Sequence, residues 1–148
     1  MTLSGHCRCR AVSYAVEAAA FPSSYVCHCL DCQTQSGSAF TIQVPLREHR
    51  LSVIGNLINW DHKDSRDTLT TQRFCALCKT RLYSTNAGRP GIAVLRGGTL
   101  DSSYELIPKL HIWIKRKQRW IGLPTDAETY QESAPVERMQ SAFAANFM

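Results

Sequence analysis

Seven cysteines stand in three short clusters, Cys7-Arg8-Cys9, Cys27-His28-Cys29-Leu30-Asp31-Cys32 and Cys75-Ala76-Leu77-Cys78, and none lies outside them. On a strand, side chains at i and i+2 share a face, so Cys7 and Cys9 can grip one ion while Arg8 points away. The same parity sets Cys27 with Cys29 and His28 opposite. In a tight turn a C-x-x-C pair delivers two sulfurs to one tetrahedral centre, which describes Cys29/Cys32 and Cys75/Cys78. Cys27, Cys29 and Cys32 therefore make a self-contained three-sulfur site, and Cys7, Cys9, Cys75 and Cys78 remain to make a site of four. Four thiolates close the tetrahedron of a structural zinc, whereas three leave a position for water or substrate, the mark of a catalytic zinc.

Soft sulfur donors favour zinc over magnesium, calcium or manganese, so the expected cofactor is Zn²⁺, two per chain. Two other readings of the same cysteines stand beside this one. They could be buried, unligated core thiols, which have no reason to cluster as CxC and CxxC. Alternatively, one zinc could accompany a redox pair in the third cluster. Strand parity makes His28 a core or supporting histidine rather than a ligand; His6, His49 and His62 are expected at the surface.

Three thiolates push electron density onto zinc, so it acidifies bound water less than three neutral histidines would. A thiol is a soft ligand that zinc deprotonates outright, turning a reagent of pKa ~8.5 into a nucleophile at neutral pH. The chemistry expected at the three-sulfur site is activation of a substrate thiol as a nucleophile. The charge that a fourth thiolate adds calls for a nearby cation, and His28, Lys79 and Arg81 are the candidates. A zinc deaminase needs an H-x-E element and a zincin needs H-E-x-x-H; the chain has neither.

The 148 residues, 44% apolar and 20% charged, have globular composition and are long enough to bury a core without staples. The first ten residues lack a secretory apolar stretch, and no window approaches a bilayer-spanning run. The expectation is a soluble protein of a reducing cytoplasm, without a membrane partner or a disulfide framework. The formal charge of +5 invites a nucleic-acid reading, yet seven thiolates on two zinc ions would lower it to about +2.

Short alternating or β-branched runs bounded by turn residues predict strands over 11–17, 24–28, 39–44, 57–62, 69–74, 81–85, 92–97 and 109–114. Residues 115–119 read as a basic hairpin tip leading to Trp120. Val136, Met139, Phe143 and Phe147 recur at helical spacing behind Ser133 and Pro135, which predicts a C-terminal helix over about 134–147. One mainly β domain over 1–148 is expected, with no internal repeat or dividing linker.

The clusters and their flanks resemble the glutathione-dependent formaldehyde-activating enzyme family, which also includes centromere protein V. The matching pieces are Gly5-His6-Cys7-Arg8-Cys9 with Ala11 to Tyr14, Cys27 to Cys32 with Ser36 to Phe40, Phe74 to Cys78, and Pro108 to Trp113 with Trp120, within about 4–125. The resemblance implies a zinc-stabilised β-tent of small stacked antiparallel sheets. It implies that Cys7, Cys9, Cys75 and Cys78 hold the structural zinc, that Cys27, Cys29 and Cys32 hold a second, catalytic zinc where a glutathione adduct such as S-hydroxymethylglutathione binds, and that the reaction is of carbon–sulfur lyase type, the addition of glutathione to a small aldehyde or the reverse cleavage. Three positions depart from the family pattern. Arg10 and Lys79 stand where glycine is usual, so each turn must carry a side chain in a glycine conformation, and Gln33 stands where arginine is common. The alternative function is a zinc-stabilised binding module without catalysis, in which Lys115 to Arg119, flanked by Trp113 and Trp120, would meet nucleic acid or another anionic partner. The plainer account of that segment is a solvated tip between two buried tryptophans.

Overall fold

The computed structural model describes residues 1–148. In chain order the strands are β1 (Thr2–His6), β2 (Ser13–Glu17), β3 (Ser24–Cys27), β4 (Thr41–Arg47), β5 (Leu51–Ile54), β6 (Leu57–Lys63), β7 (Leu69–Cys75), β8 (Arg81–Asn86), β9 (Ile92–Arg96), β10 (Pro108–Ile112) and β11 (Glu128–Thr129). Helix α1 spans Leu30–Ser36 and α2 spans Val136–Ala142. The protein is mainly β, as the patterning predicts. No helix is long and apolar enough to cross a membrane.

The strands form a three-stranded antiparallel sheet, β1-β2-β5, and an eight-stranded sheet ordered β11-β10-β3-β4-β9-β8-β7-β6. Alternation sets the contact between the two. In β2, Tyr14 and Val16 point inward while Ser13 and Glu17 face solvent. Those residues and Val12 pack on one face of the large sheet, against Val44 and Leu46 of β4, Ala93 and Leu95 of β9, and Leu82 and Tyr83 of β8. Strand β4, central and covered on both sides, is buried along almost its whole length. Gly5 makes room for its cross-strand partner: a Cβ there would overlap the Tyr14 ring, whose hydroxyl lies 2.8 Å from Thr99 Oγ1.

The opposite face of the large sheet is more polar. Tyr25, Gln43 and Arg96 lie side by side across β3, β4 and β9, and Gln72 and Ser84 pair across β7 and β8. Its apolar part is a second core of Tyr25, Cys27, Cys32, Leu110, Ala142 and Phe143, which α2 closes. Phe143 is fully buried and packs on Tyr25 with the rings tilted by 54° and 5.5 Å between centroids.

Several expectations change. The large sheet is mixed rather than wholly antiparallel, because β10 runs parallel to both β3 and β11. Strands β1, β5 and β11 and helix α1 go beyond the predicted elements. Residues 115–119 form no hairpin: Ile114–Arg116 is a single 3-10 turn, and the Trp113, Ile114 and Lys115 N–H groups donate to carbonyls at 130–132. Trp120 is exposed and Trp113 only half buried, so the two tryptophans do not bracket a tip. Lys115 pairs with Glu132 at 3.4 Å, and Lys117 Nζ donates to the Ile121 carbonyl at 2.7 Å. The C-terminal helix ends at Ala142 and continues as a 3-10 turn, and Val136 on its predicted apolar face is exposed.

Helix α2 is fastened to β11 by charge. Arg138 grips both oxygens of Glu128 at 2.7 Å, and the Tyr130 hydroxyl donates to the same carboxylate at 2.6 Å. Arg138, then Tyr130, hold the Glu128 carboxyl down to about 2. A carboxyl depressed on folding contributes stability above its ordinary range, and that stability is lost as pH falls toward 2. Both side chains are about one third exposed, so water screening limits the pair to roughly 1 kcal/mol or less. Arg138→Ala is expected to lower the unfolding free energy measured by urea melts at pH 6 by that amount and to flatten the fall in stability between about pH 5 and 3. An unchanged pH slope would show that the pair does not fasten the helix.

Candidate metal centres

The seven thiols gather as two groups, Cys7, Cys9, Cys75 and Cys78 in one and Cys27, Cys29 and Cys32 in the other, with the sulfurs of each within 4.8 Å of one another. None is in a disulfide. Where measured, the sulfurs stand 3.6 Å (Cys7 to Cys9) and 3.8 Å (Cys9 to Cys75) apart. A disulfide needs about 2.05 Å, whereas zinc–sulfur bonds near 2.3 Å put the edges of a tetrahedron at about 3.8 Å. Backbone N–H groups aim at the sulfurs: Val12 at Cys7 (3.3 Å), Cys78 at Cys75 (3.4 Å) and Cys32 at Cys29 (3.4 Å). Such donors stabilise thiolate rather than thiol. Donor type, spacing and N–H support fit metal ions in both groups and are compatible with zinc.

The four-thiol group sits where the two sheets meet. Strand β1 ends at His6, so Cys7 and Cys9 lie in the turn after it rather than on a strand, and the turn, not strand parity, brings their sulfurs together. Cys75 ends β7, and Cys78 lies in the knuckle before β8. Cys7 and Cys75 are fully buried. The Thr80 hydroxyl and backbone N–H, helped by the Cys9 backbone, draw Cys78 down to about 5.

Arg10 and Lys79 close the two turns with φ of 66° and 63°, the left-handed conformation expected of the glycines they replace. Arg10 N–H donates to the Cys7 carbonyl and Lys79 N–H to the Cys75 carbonyl. Lys79 Nζ turns back to the Ala76 carbonyl, so Lys79 belongs to this knuckle and not to the three-thiol group.

The three-thiol group lies on the polar face of the large sheet. Cys27 ends β3, Cys29 caps α1, and Cys32 is in its first turn. Gly37, left-handed at φ 68°, ends that seven-residue helix, which the sequence patterning represents only as a tight turn. No histidine, aspartate or glutamate joins the three sulfurs as a fourth donor. Cys27 and Cys29, followed by Thr41 and Arg96, hold Cys32 down to about 2, while Cys29, Cys32 and burial push Cys27 up. Gln43 Nε2 lies 3.7 Å from Cys32 Sγ.

His28 is fully buried and points away from the sulfurs. Its Nε2 meets His111 Nδ1 at 3.1 Å, and its ring packs on Phe40. Burial, with His111 and Lys117 nearby, lowers its pKa to about 4, so it supplies no cation at neutral pH. Of the proposed cations, Arg81 stands beside the group, and Arg96, which the sequence reading missed, stands with it. Gln33 ties α1 to the chain after β10: its Nε2 donates to the His28 and Arg116 carbonyls at 2.8 Å. His49 is exposed, His6 is partly exposed and pairs with Asp101 at 3.1 Å, and His62 is half buried against Gln72.

Comparison with solved structures finds a crystal structure of a Rhodobacter sphaeroides protein that is 21% identical to this chain. The match has a TM-score of 0.53 and covers 71% of this chain and 97% of that one. At that identity it shows a shared fold, a mainly β scaffold. A family model described as glutathione-dependent formaldehyde-activating enzyme matches residues 2–116, and the chain belongs to this family. Comparison with curated proteins gives no match.

Two outcomes are expected from these centres. Arg10→Gly removes a left-handed strain of about 1–2 kcal/mol at the cost of about 0.5–1 kcal/mol of unfolded-chain entropy, so it should stabilise by up to about 1.5 kcal/mol in urea melts. Destabilisation would mean that the Arg10 side chain holds the turn. Zinc-loaded protein should contain two equivalents by elemental analysis. Cys75→Ser should lose one of them together with several kcal/mol of stability, because that group joins residues some seventy positions apart. Cys32→Ser should lose the other with a smaller change in melting temperature. Equal destabilisation by both would contradict this division.

Proposed function

We propose that this chain is a zinc-dependent carbon–sulfur lyase-like enzyme acting on the adduct of a thiol and a small aldehyde, of the glutathione and formaldehyde type. The observation that carries the reading is a three-thiol group without a fourth protein donor, in a member of this family. Cys7, Cys9, Cys75 and Cys78 would hold a structural zinc, and Cys27, Cys29 and Cys32 a catalytic one. Bound there, zinc supplies a soft Lewis acid with one free position, which favours a thiolate over water. In the forward direction the substrate sulfur bonds to the aldehyde carbon, the carbonyl π bond opens, and the thiol proton ends on the new hydroxyl. Cleavage runs the same changes backwards.

The chain's own residues shape this chemistry. Gln43 donates toward Cys32, which moderates the charge of the sulfurs. His28, locked between His111 and Phe40, fixes the path of the backbone between Cys27 and Cys29 without adding charge. On the other side of α1 lies a cleft of about 620 Å³, bordered by Gln33, Thr34, Phe40, Gln118 and Trp120. The protein would work in the cytoplasm as one unit over 1–148.

Calorimetric titration of glutathione onto zinc-loaded protein is expected to show saturable binding that weakens at least tenfold in Cys32→Ser. Magnetisation-transfer NMR should show faster exchange between glutathione and its formaldehyde adduct with the wild type than with that variant. Equal binding by both proteins would remove the three-thiol group from the mechanism. Salt-sensitive binding of a polynucleotide without thiol binding would favour the non-catalytic module instead.

A further inference from the structure

Two guanidiniums share the polar face of the large sheet, and no carboxylate answers either of them. Arg81 Nη1 and Arg96 Nη2 both donate to Gln35 Oε1, at 2.8 and 3.0 Å. Arg81 Nη2 also reaches Ser84 Oγ at 3.1 Å. None of the chain's ion pairs includes Arg81 or Arg96, and the buried Arg81 Nε has no partner. Each guanidinium has five N–H donors, so most of them remain free.

The backbone places this pair deliberately. Arg73 pairs with Tyr83 and Phe74 with Arg81, which leaves Leu82 as the unpaired residue of a β-bulge. Without the bulge, Arg81 would share the core face with Tyr83. With it, Leu82 enters the core and Arg81 turns to the side of Ser84 and Gln72. Arg96 reaches the same side by register, opposite Gln43, whose amide approaches Cys32. Gln35 follows Cys32 by one helical turn, so α1 presents the sulfur and the bridging amide together. Arg81 and Arg96 are both half-buried beneath the exposed Gln35.

We infer that Arg81 and Arg96, spaced by Gln35, form a carboxylate clamp beside the three-thiol group that selects anionic thiols over neutral ones. The inference rests on the proposed function for its substrate and adds the residues that set specificity. Two fixed cations more than offset the single net negative charge of a zinc held by three thiolates, so an additional anion is attracted. Planar guanidinium forks match carboxylate geometry in a way that lysine does not. Burial and Arg96 lower Arg81 only to about 10, so it stays charged at neutral pH.

The test is calorimetric titration of zinc-loaded protein with glutathione, its diester, which keeps the α-ammonium but carries no carboxylate, and S-methylglutathione, with zinc content measured in parallel. The wild type should bind glutathione roughly tenfold more tightly than the diester. Arg81→Gln and Arg96→Gln should bring glutathione down to the level of the diester and leave the diester unchanged; Arg96→Lys should fall between. Equal affinity for glutathione and diester in the wild type overturns the clamp without any variant. Variants that weaken both ligands alike and shed zinc would show that the arginines only balance the charge of the sulfurs. Glutathione and S-methylglutathione binding equally, both ahead of the diester, would sustain the clamp and sink the thiol chemistry proposed above. Binding of none of them would overturn both.

Discussion

Seven thiols packed into two groups impose an electrostatic demand that shapes everything around them. Sulfurs less than 4 Å apart repel once ionised, so each group persists only with a cation at its centre or with shared protons. The surrounding chain is arranged for the ionised form. Backbone N–H groups point at Cys7, Cys29 and Cys75, amide and hydroxyl donors reach Cys32 and Cys78, and arginines rather than carboxylates flank the three-thiol group. Metal uptake by these groups would therefore be coupled to folding. The coupling differs between the groups: the four-thiol group joins the first turn of the chain to a knuckle between β7 and β8, whereas the three-thiol group spans one strand end and one short helix.

That difference explains what could be read from the sequence. Local spacing alone divides the cysteines into four and three, since Cys27, Cys29 and Cys32 share one short segment. The αL conformation at Arg10 and Lys79 was also legible, from two side chains standing where glycine is usual. The strands bounded by turn residues, such as β6 to β9, fall close to their predicted bounds. Partners were less legible, because periodicity says which face of a strand is buried and not which strand lies beside it. The parallel pairing of β3 with β10 joins segments some eighty residues apart and leaves no local mark. Strand parity also misdescribed Cys7 and Cys9: β1 stops one residue short, and the turn does what the pleat was expected to do.

Arg96 escaped notice for a related reason. In the sequence it closes an ordinary strand, Ile92 to Arg96, whose last residue would normally face water. Its significance comes from lying opposite Gln43, and thereby near Cys32, across a ladder that only the fold reveals. Arg81 was visible as a basic residue near a CxxC pair, but its orientation depends on one extra residue. The bulge at Leu82 reverses the parity of the strand, so a side chain that simple alternation assigns to the core emerges on the opposite face.

The same bulge links stability to the site in a way that constrains how β8 can vary. Leu82 is almost fully buried in the core between the two sheets, so its aliphatic side chain anchors the irregularity through burial worth a few kcal/mol. Were the ladder to regain regular pairing with Leu82 kept, Leu82 would face Phe74 and Arg81 would face Cys75, and the side chains before Tyr83 would exchange faces. Either Arg81 would enter the core unpaired, at a cost of several kcal/mol for a buried charge, or the knuckle bearing Cys75 and Cys78 would have to rotate. The bulge thus ties the aim of Arg81 toward the three-thiol group to the position of the four-thiol group. Through it, one core leucine sets the orientation of parts of both centres.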